Sequence, residues 1–168
     1  MKSRMKSRTC CLVAAVVLCL SACGDDDGGV VLPVDDGCEH MQDGPFASIT
    51  ANAVEGQAPS MPMEHTKYMV TLVDDGGNFG GFVSIPIADA GELFVYSDNT
   101  APLTLRDDSG SPVVAELEDT SISACTEVDR EKVYDVDVGT YTVELGPYDQ
   151  ARMSLVYFTV VGEDDHNH

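Results

Sequence analysis

Val133-Tyr134-Asp135-Val136-Asp137-Val138 and Tyr141-Thr142-Val143-Glu144-Leu145 are two short alternating runs parted by Gly139-Thr140. Alternation with a period of two is the mark of strands with one buried face, and a glycine between two such runs marks a tight turn. The same strand–turn–strand reading extends over the rest of the chain. Phe46–Ala51 and Tyr68–Val73 are strands, the second with Tyr68, Val70 and Leu72 on one face. Phe82–Ile87 and Glu92–Tyr96 are strands on either side of Ala88-Asp89-Ala90-Gly91. Leu103–Arg106 and Val113–Leu117 flank the hairpin signal Asp107-Asp108-Ser109-Gly110-Ser111, and Met153–Val161 is the last apolar run. Pro59 and Pro62 make Ala58–Met63 a loop, since proline cannot donate to a central ladder. No segment keeps a helical period. The pattern predicts an all-β fold, a single antiparallel β-sandwich of jelly-roll or Ig-like type with about eight strands.

The N-terminus has a different composition. Lys2, Arg4, Lys6 and Arg8 precede an apolar run, Cys11–Leu20, that ends in Leu20-Ser21-Ala22-Cys23. The run is shorter than the roughly 20 residues a spanning helix needs, and the order of charge, apolar stretch and small residues is that of a secretory signal. Leu20-Ser21-Ala22-Cys23 resembles the lipobox of bacterial lipoproteins. That resemblance implies cleavage before Cys23, a covalent lipid on the Cys23 sulfur, and further acylation of its new amine. Two or more acyl chains make attachment stable. The resemblance thus makes the membrane a partner through the acyl anchor and the cell envelope the location. Gly24 stands where an inner-membrane retention aspartate would be, and Asp25–Asp27 loosely resemble a surface-export cluster; both favour the outer membrane.

The implied organisation is a signal peptide over 1–22, a flexible Gly/Asp tether over 23–37, a sandwich over 38–162 and an acidic, His-containing tail over 163–168. Four of the nine bases precede Cys23 and none of the 29 acids does. Five bases against 29 acids give the mature chain a net charge of −24. Such a surface repels nucleic acid and anionic lipid headgroups, so nucleic acid is not an expected partner.

Cleavage also removes Cys10, Cys11 and Cys19, and Cys23 carries lipid, which leaves Cys38 and Cys125. An isolated pair in an exported protein most simply forms a disulfide; the alternative is a pair of thiolate metal ligands.

The stretch from Phe82 to Tyr157 resembles the small jelly-roll domains of the pre-peptidase C-terminal type. Gly91-Glu92-Leu93-Phe94, Leu105-Arg106-Asp107-Asp108-Ser109-Gly110 and Gly139-Thr140-Tyr141-Thr142-Val143 follow that family's order of glycine-led strands and hairpin. The family accompanies secreted enzymes; an accessory role to an attached peptidase is not the expectation here.

No nucleophile elbow, phosphate-binding glycine loop or His-Glu-x-x-His motif is present, and the reading is not an enzyme. The mature chain has four histidines, His40, His65, His166 and His168, none inside an expected strand. Imidazole suits Zn and Cu, and four loop histidines meeting at one end of the sandwich would make a transition-metal site. Met41, Met61 and Met63 would suit Cu(I), and Glu39, Glu64, Asp164 and Asp165 could add ligands. A Cys38–Cys125 bond would preorganise His40. Against this stands an ordinary reading of two loop histidines and a frayed polar tail. The rival function is a structural or binding module without metal, taking a glycan, peptide or protein partner. A shared solvent face for Tyr68, Tyr96, Tyr134, Tyr141, Tyr148 and Tyr157 would favour that rival.

Overall fold

A computed structural model describes residues 32–162. The expected signal peptide, Cys23, the Gly/Asp run, His166 and His168 lie outside the described residues. Ten strands form two packed sheets: β1 (Phe46–Thr50), β2 (Lys67–Thr71), β3 (Val73–Asp74), β4 (Phe79–Ile87), β5 (Gly91–Ser97), β6 (Leu103–Arg106), β7 (Leu117–Asp119), β8 (Arg130–Val136), β9 (Gly139–Tyr148) and β10 (Arg152–Val160). Eight of them have four residues or more, the number the alternation suggests. The six-stranded sheet runs β1-β2-β10-β5-β8-β7 and the four-stranded sheet β3-β4-β9-β6. Every pairing is antiparallel except β1 with β2. The all-β sandwich follows. Gly139 opens β9, and the quoted hairpin splits its strands between the sheets: β8 pairs with β5 and β9 with β4.

The core between the sheets is built from the inward faces of alternating strands. Tyr68, Val70 and Leu72 are buried together there, with Val83 and Ile85 of β4, Leu103 and Leu105 of β6, and Val143 and Leu145 of β9. The run Tyr68–Val73 is not one strand. The chain leaves the six-stranded sheet at Leu72 and enters the other at Val73. Val113–Leu117 also differs from the expected strand. Only Leu117 is in a ladder, that of β7, while Val113 donates its N–H to Leu105 O across the hairpin.

The larger correction is a helix, α1 (Pro33–Asp43). The expected tether therefore ends before Pro33, and Gly37 is buried in the fold. The physical signals are local. Pro33 opens the helix with its ring preset for the first turn, Asp35 and Asp36 sit where the helix dipole favours acids, and Gly44 ends it at φ +78°. The inward stripe is Val34, Gly37, Cys38 and Met41, spaced i, i+3, i+4, i+7. Glycine and cysteine in that stripe conceal its apolar character.

α1 covers the outer face of the six-stranded sheet and creates a second core. Met41, Phe94, Tyr96, Val133, Val156 and Phe158 pack there with Cys125 and Val128. Leu93–Ser97 and Met153–Phe158 are consequently buried without a break, because the centre of this sheet is covered on both faces. Cys38 and Cys125 form a disulfide, with 5.7 Å between Cα atoms and a sequence separation of 87. No helix among the described residues is long and apolar enough to cross a membrane.

Candidate functional site

α1 sits on the sheet with Gly37 and Met41 facing down. At 100° per residue this puts Asp36 and His40 on one flank and Cys38 and Gln42 on the other. The first flank faces His65, which lies in the turn just before β2. Asp36 joins the two histidines: its Oδ1 is 3.0 Å from His40 Nε2 and its Oδ2 is 3.2 Å from His65 Nδ1. The imidazole centroids are 5.0 Å apart. One ligand atom from each of the three side chains lies within 4.8 Å of the other two.

His65 is held in an unusual conformation. Its φ is +52°, alone among the described non-glycine residues in being positive, a region in which an L side chain crowds its own backbone. Three contacts secure it. Its N–H donates to Tyr157 O at 3.0 Å. Its ring stacks on Phe158, with centroids 4.7 Å apart and planes within 6°. The next residue back, Glu64, accepts at Oε1 from Thr159 Oγ1. Packing against β10 thus overrides the local preference, as it does at functional sites that need a fixed side chain.

His40 is oriented by a second bond. Its Nδ1 lies 2.9 Å from Gly44 O. A carbonyl only accepts, so Nδ1 carries the hydrogen and Nε2 is the nitrogen turned to Asp36. With a second proton on the ring, the Asp36 contact is a charge-assisted hydrogen bond. With a metal ion in place of that proton, the same atoms are ligands. A ring nitrogen donating to a backbone carbonyl is the usual support for a metal-binding imidazole. The two O···N separations run to different oxygens of Asp36, so the carboxylate bridges the two imidazoles at hydrogen-bond distance.

The site lies at the surface: 43% of the His65 side chain and 20% of the His40 side chain remain exposed. Asp36 was concealed by its place in the supposed tether; its spacing of four from His40 was the available signal. The methionines do not join the site as a thioether set. Met61 is in the core between the sheets, Met41 is under α1, and Met63 is exposed. The assembled donors are nitrogen and oxygen, which removes the basis for a Cu(I) preference. Glu39 is exposed on α1. On the far flank Glu127 Oε2 accepts from Thr126 Oγ1 and Gln42 Nε2; these bonds hold its carboxyl below the usual range.

The six tyrosines form no common solvent face. Tyr68, Tyr96, Tyr134 and Tyr157 are buried, and Tyr141 and Tyr148 are half-buried. Tyr157 Oη donates to Met61 O, and Tyr96 Oη to Glu131 Oε1 at 2.8 Å. These rings are core and support.

No family model matches the chain, and no curated protein matches it. Among solved structures it is similar to the pre-peptidase C-terminal domain of collagenase from Bacillus anthracis, at 13% identity and a TM-score of 0.43, over 64% of this chain and 99% of that one. At that identity and score the likeness supplies no argument about what the chain does.

Proposed function

We propose that this is a lipid-anchored envelope protein of the outer membrane whose sandwich presents a surface transition-metal site. Asp36, His40 and His65 are the ligands, and Zn(II) or Cu(II) is the ion. The observation that carries the reading is the His40 ring, whose Nδ1 is bound to Gly44 O while Nε2 faces Asp36 beside His65. Two imidazoles and one carboxylate leave coordination positions open. The lipid on Cys23 supports localisation, because an acidic surface has no electrostatic hold on a membrane.

Calorimetric titration of the purified protein with Zn(II) and Cu(II) near neutral pH tests the site. One equivalent bound is expected, with loss of binding when Asp36, His40 and His65 are replaced together. Absence of heat and of any competition with a chromophoric chelator would refute it.

A further inference from the structure

The two flanks of α1 are both fastened, and by different chemistry. On one, Asp36 and His40 reach His65. On the other, Cys38 is bonded to Cys125, and Gln42 Nε2 donates to Glu127 Oε2 at 2.7 Å. Cys38 stands two residues from each α1 ligand. Between the flanks Lys67 Nζ donates to Met41 O at 2.9 Å, and Gly37 lies against the Tyr96 ring. Gly37 offers no side chain, Met41 inserts into the outer core, and Val34 is only partly buried. An 11-residue helix is marginal without tertiary contacts. The two fastenings add to these contacts in fixing its position.

We infer that the disulfide and the metal site are coupled clasps on one helix, so that the redox state of Cys38–Cys125 regulates metal affinity. This rests on the metal reading above. With the disulfide closed, Asp36 and His40 are already held beside His65, and a metal ion meets a formed site. With it open, binding at Asp36, His40 and His65 must also reseat α1, and that ordering cost weakens the affinity of this ligand set. Linkage makes the effect mutual: a bound ion that holds α1 down also disfavours opening of the disulfide. The opening reaction is an exchange with a dithiol reductant. Cys38 and Cys125 take two electrons and two protons and become thiols, while the dithiol closes to its own disulfide. Cys38 is half-buried and Cys125 buried, so access to the bond depends on the seating of the helix.

The test uses the whole protein purified with its disulfide intact. Zn(II) affinity is compared between this protein and the Cys38→Ser/Cys125→Ser variant, with circular dichroism to establish that both are folded. The expected loss in the variant is about tenfold. A second measurement needs no cysteine variant. A water-soluble phosphine reduces the native disulfide and leaves as its oxide, with water supplying the oxygen and the two protons. Alkylation and mass spectrometry follow the thiols. Saturating Zn(II) is expected to slow thiol release severalfold in the native protein and to leave His40→Ala unaffected. Equal Zn(II) affinities in two folded proteins, or a reduction rate unmoved by Zn(II) that calorimetry shows bound, would overturn the coupling while leaving the metal site standing. Absence of Zn(II) binding to the native protein would overturn the metal reading and the coupling together.

Discussion

Gly37 of α1 lies directly on the ring of Tyr96: a Cβ built on it would stand 2.5 Å from both Cδ2 and Cε2. Tyr96 belongs to the outer face of β5 and is fixed there by its bond to Glu131. The glycine is what allows the helix to approach the sheet, and so what lets Asp36 and His40 reach His65.

Gly37→Ala therefore has an expected sign opposite to that of an exposed helix. Alanine ordinarily favours a helix by about 1 kcal/mol over glycine, but here it must push the helix off the ring. Overpacking of this kind costs about 1–3 kcal/mol. A lower urea midpoint and weaker Zn(II) binding are expected; a midpoint equal to or above that of the parent would show that the contact is not tight.

Removing the disulfide acts through the unfolded chain. For a separation of 87 residues, the loop-closure argument gives at most about 4–5 kcal/mol. Cys38→Ser/Cys125→Ser is expected to lose much of that in denaturant unfolding. The parent should gain two hydrogens in mass on reduction, whereas two thiols alkylated in the unreduced protein would contradict the bond.

At the proposed metal site the choice of substitution matters for His65. Asparagine tolerates the left-handed backbone region, so His65→Asn removes the imidazole without adding strain at φ +52°. His65→Asn and Asp36→Asn should each weaken Zn(II) binding at least tenfold, a loss of about 1.4 kcal/mol or more, with circular dichroism showing that both variants keep the fold. Full affinity in both would remove these residues from the ligand set.

Alkaline pH should unfold the protein through its tyrosines. Burial raises the phenols of Tyr96, Tyr134 and Tyr157 above their ordinary 10.0, and the Glu131 bond adds to the effect at Tyr96. Below pH 10.0 both states hold these protons and the contribution is fully present. Above it the unfolded chain releases protons that the folded chain retains, so stability falls as pH rises toward the folded-state values. An absorbance titration should show these phenolates appearing together with loss of the β-sheet signal. Their smooth ionisation in a still-folded protein would be the contrary result.

For the anchor, Cys23→Ser should abolish labelling by a fatty-acid analogue and release the protein from membranes. Retention with undiminished labelling would rule out that cysteine.

Much of this architecture was legible where a strand has one wet face. Thr104 and Arg106 alternate with buried Leu103 and Leu105 in β6, and the strand matches the alternating run residue for residue. β5 and β10 gave only their existence. Their unbroken apolar runs announce burial on two faces without saying what covers the second. The cover is α1, whose stripe includes Gly37 and Cys38 and so carries too little apolar weight to show as a helical period. Missing the helix meant missing Asp36, since its relation to His40 exists only at helical spacing.

Order along the chain determined the sandwich, the turn glycines and the pairing of the last two cysteines, because alternation and turn chemistry are local and each strand records its own exposure. The same order set the bulk charge and, through Leu20–Cys23, the expected anchor. What only the tertiary structure decided is which side chains meet. Asp36 and His65 are 29 positions apart and joined by no local pattern. They are brought together because Gly37 lets α1 settle on Tyr96, the Cys38–Cys125 bond holds it there, and β10 forces His65 into a conformation it would not adopt alone.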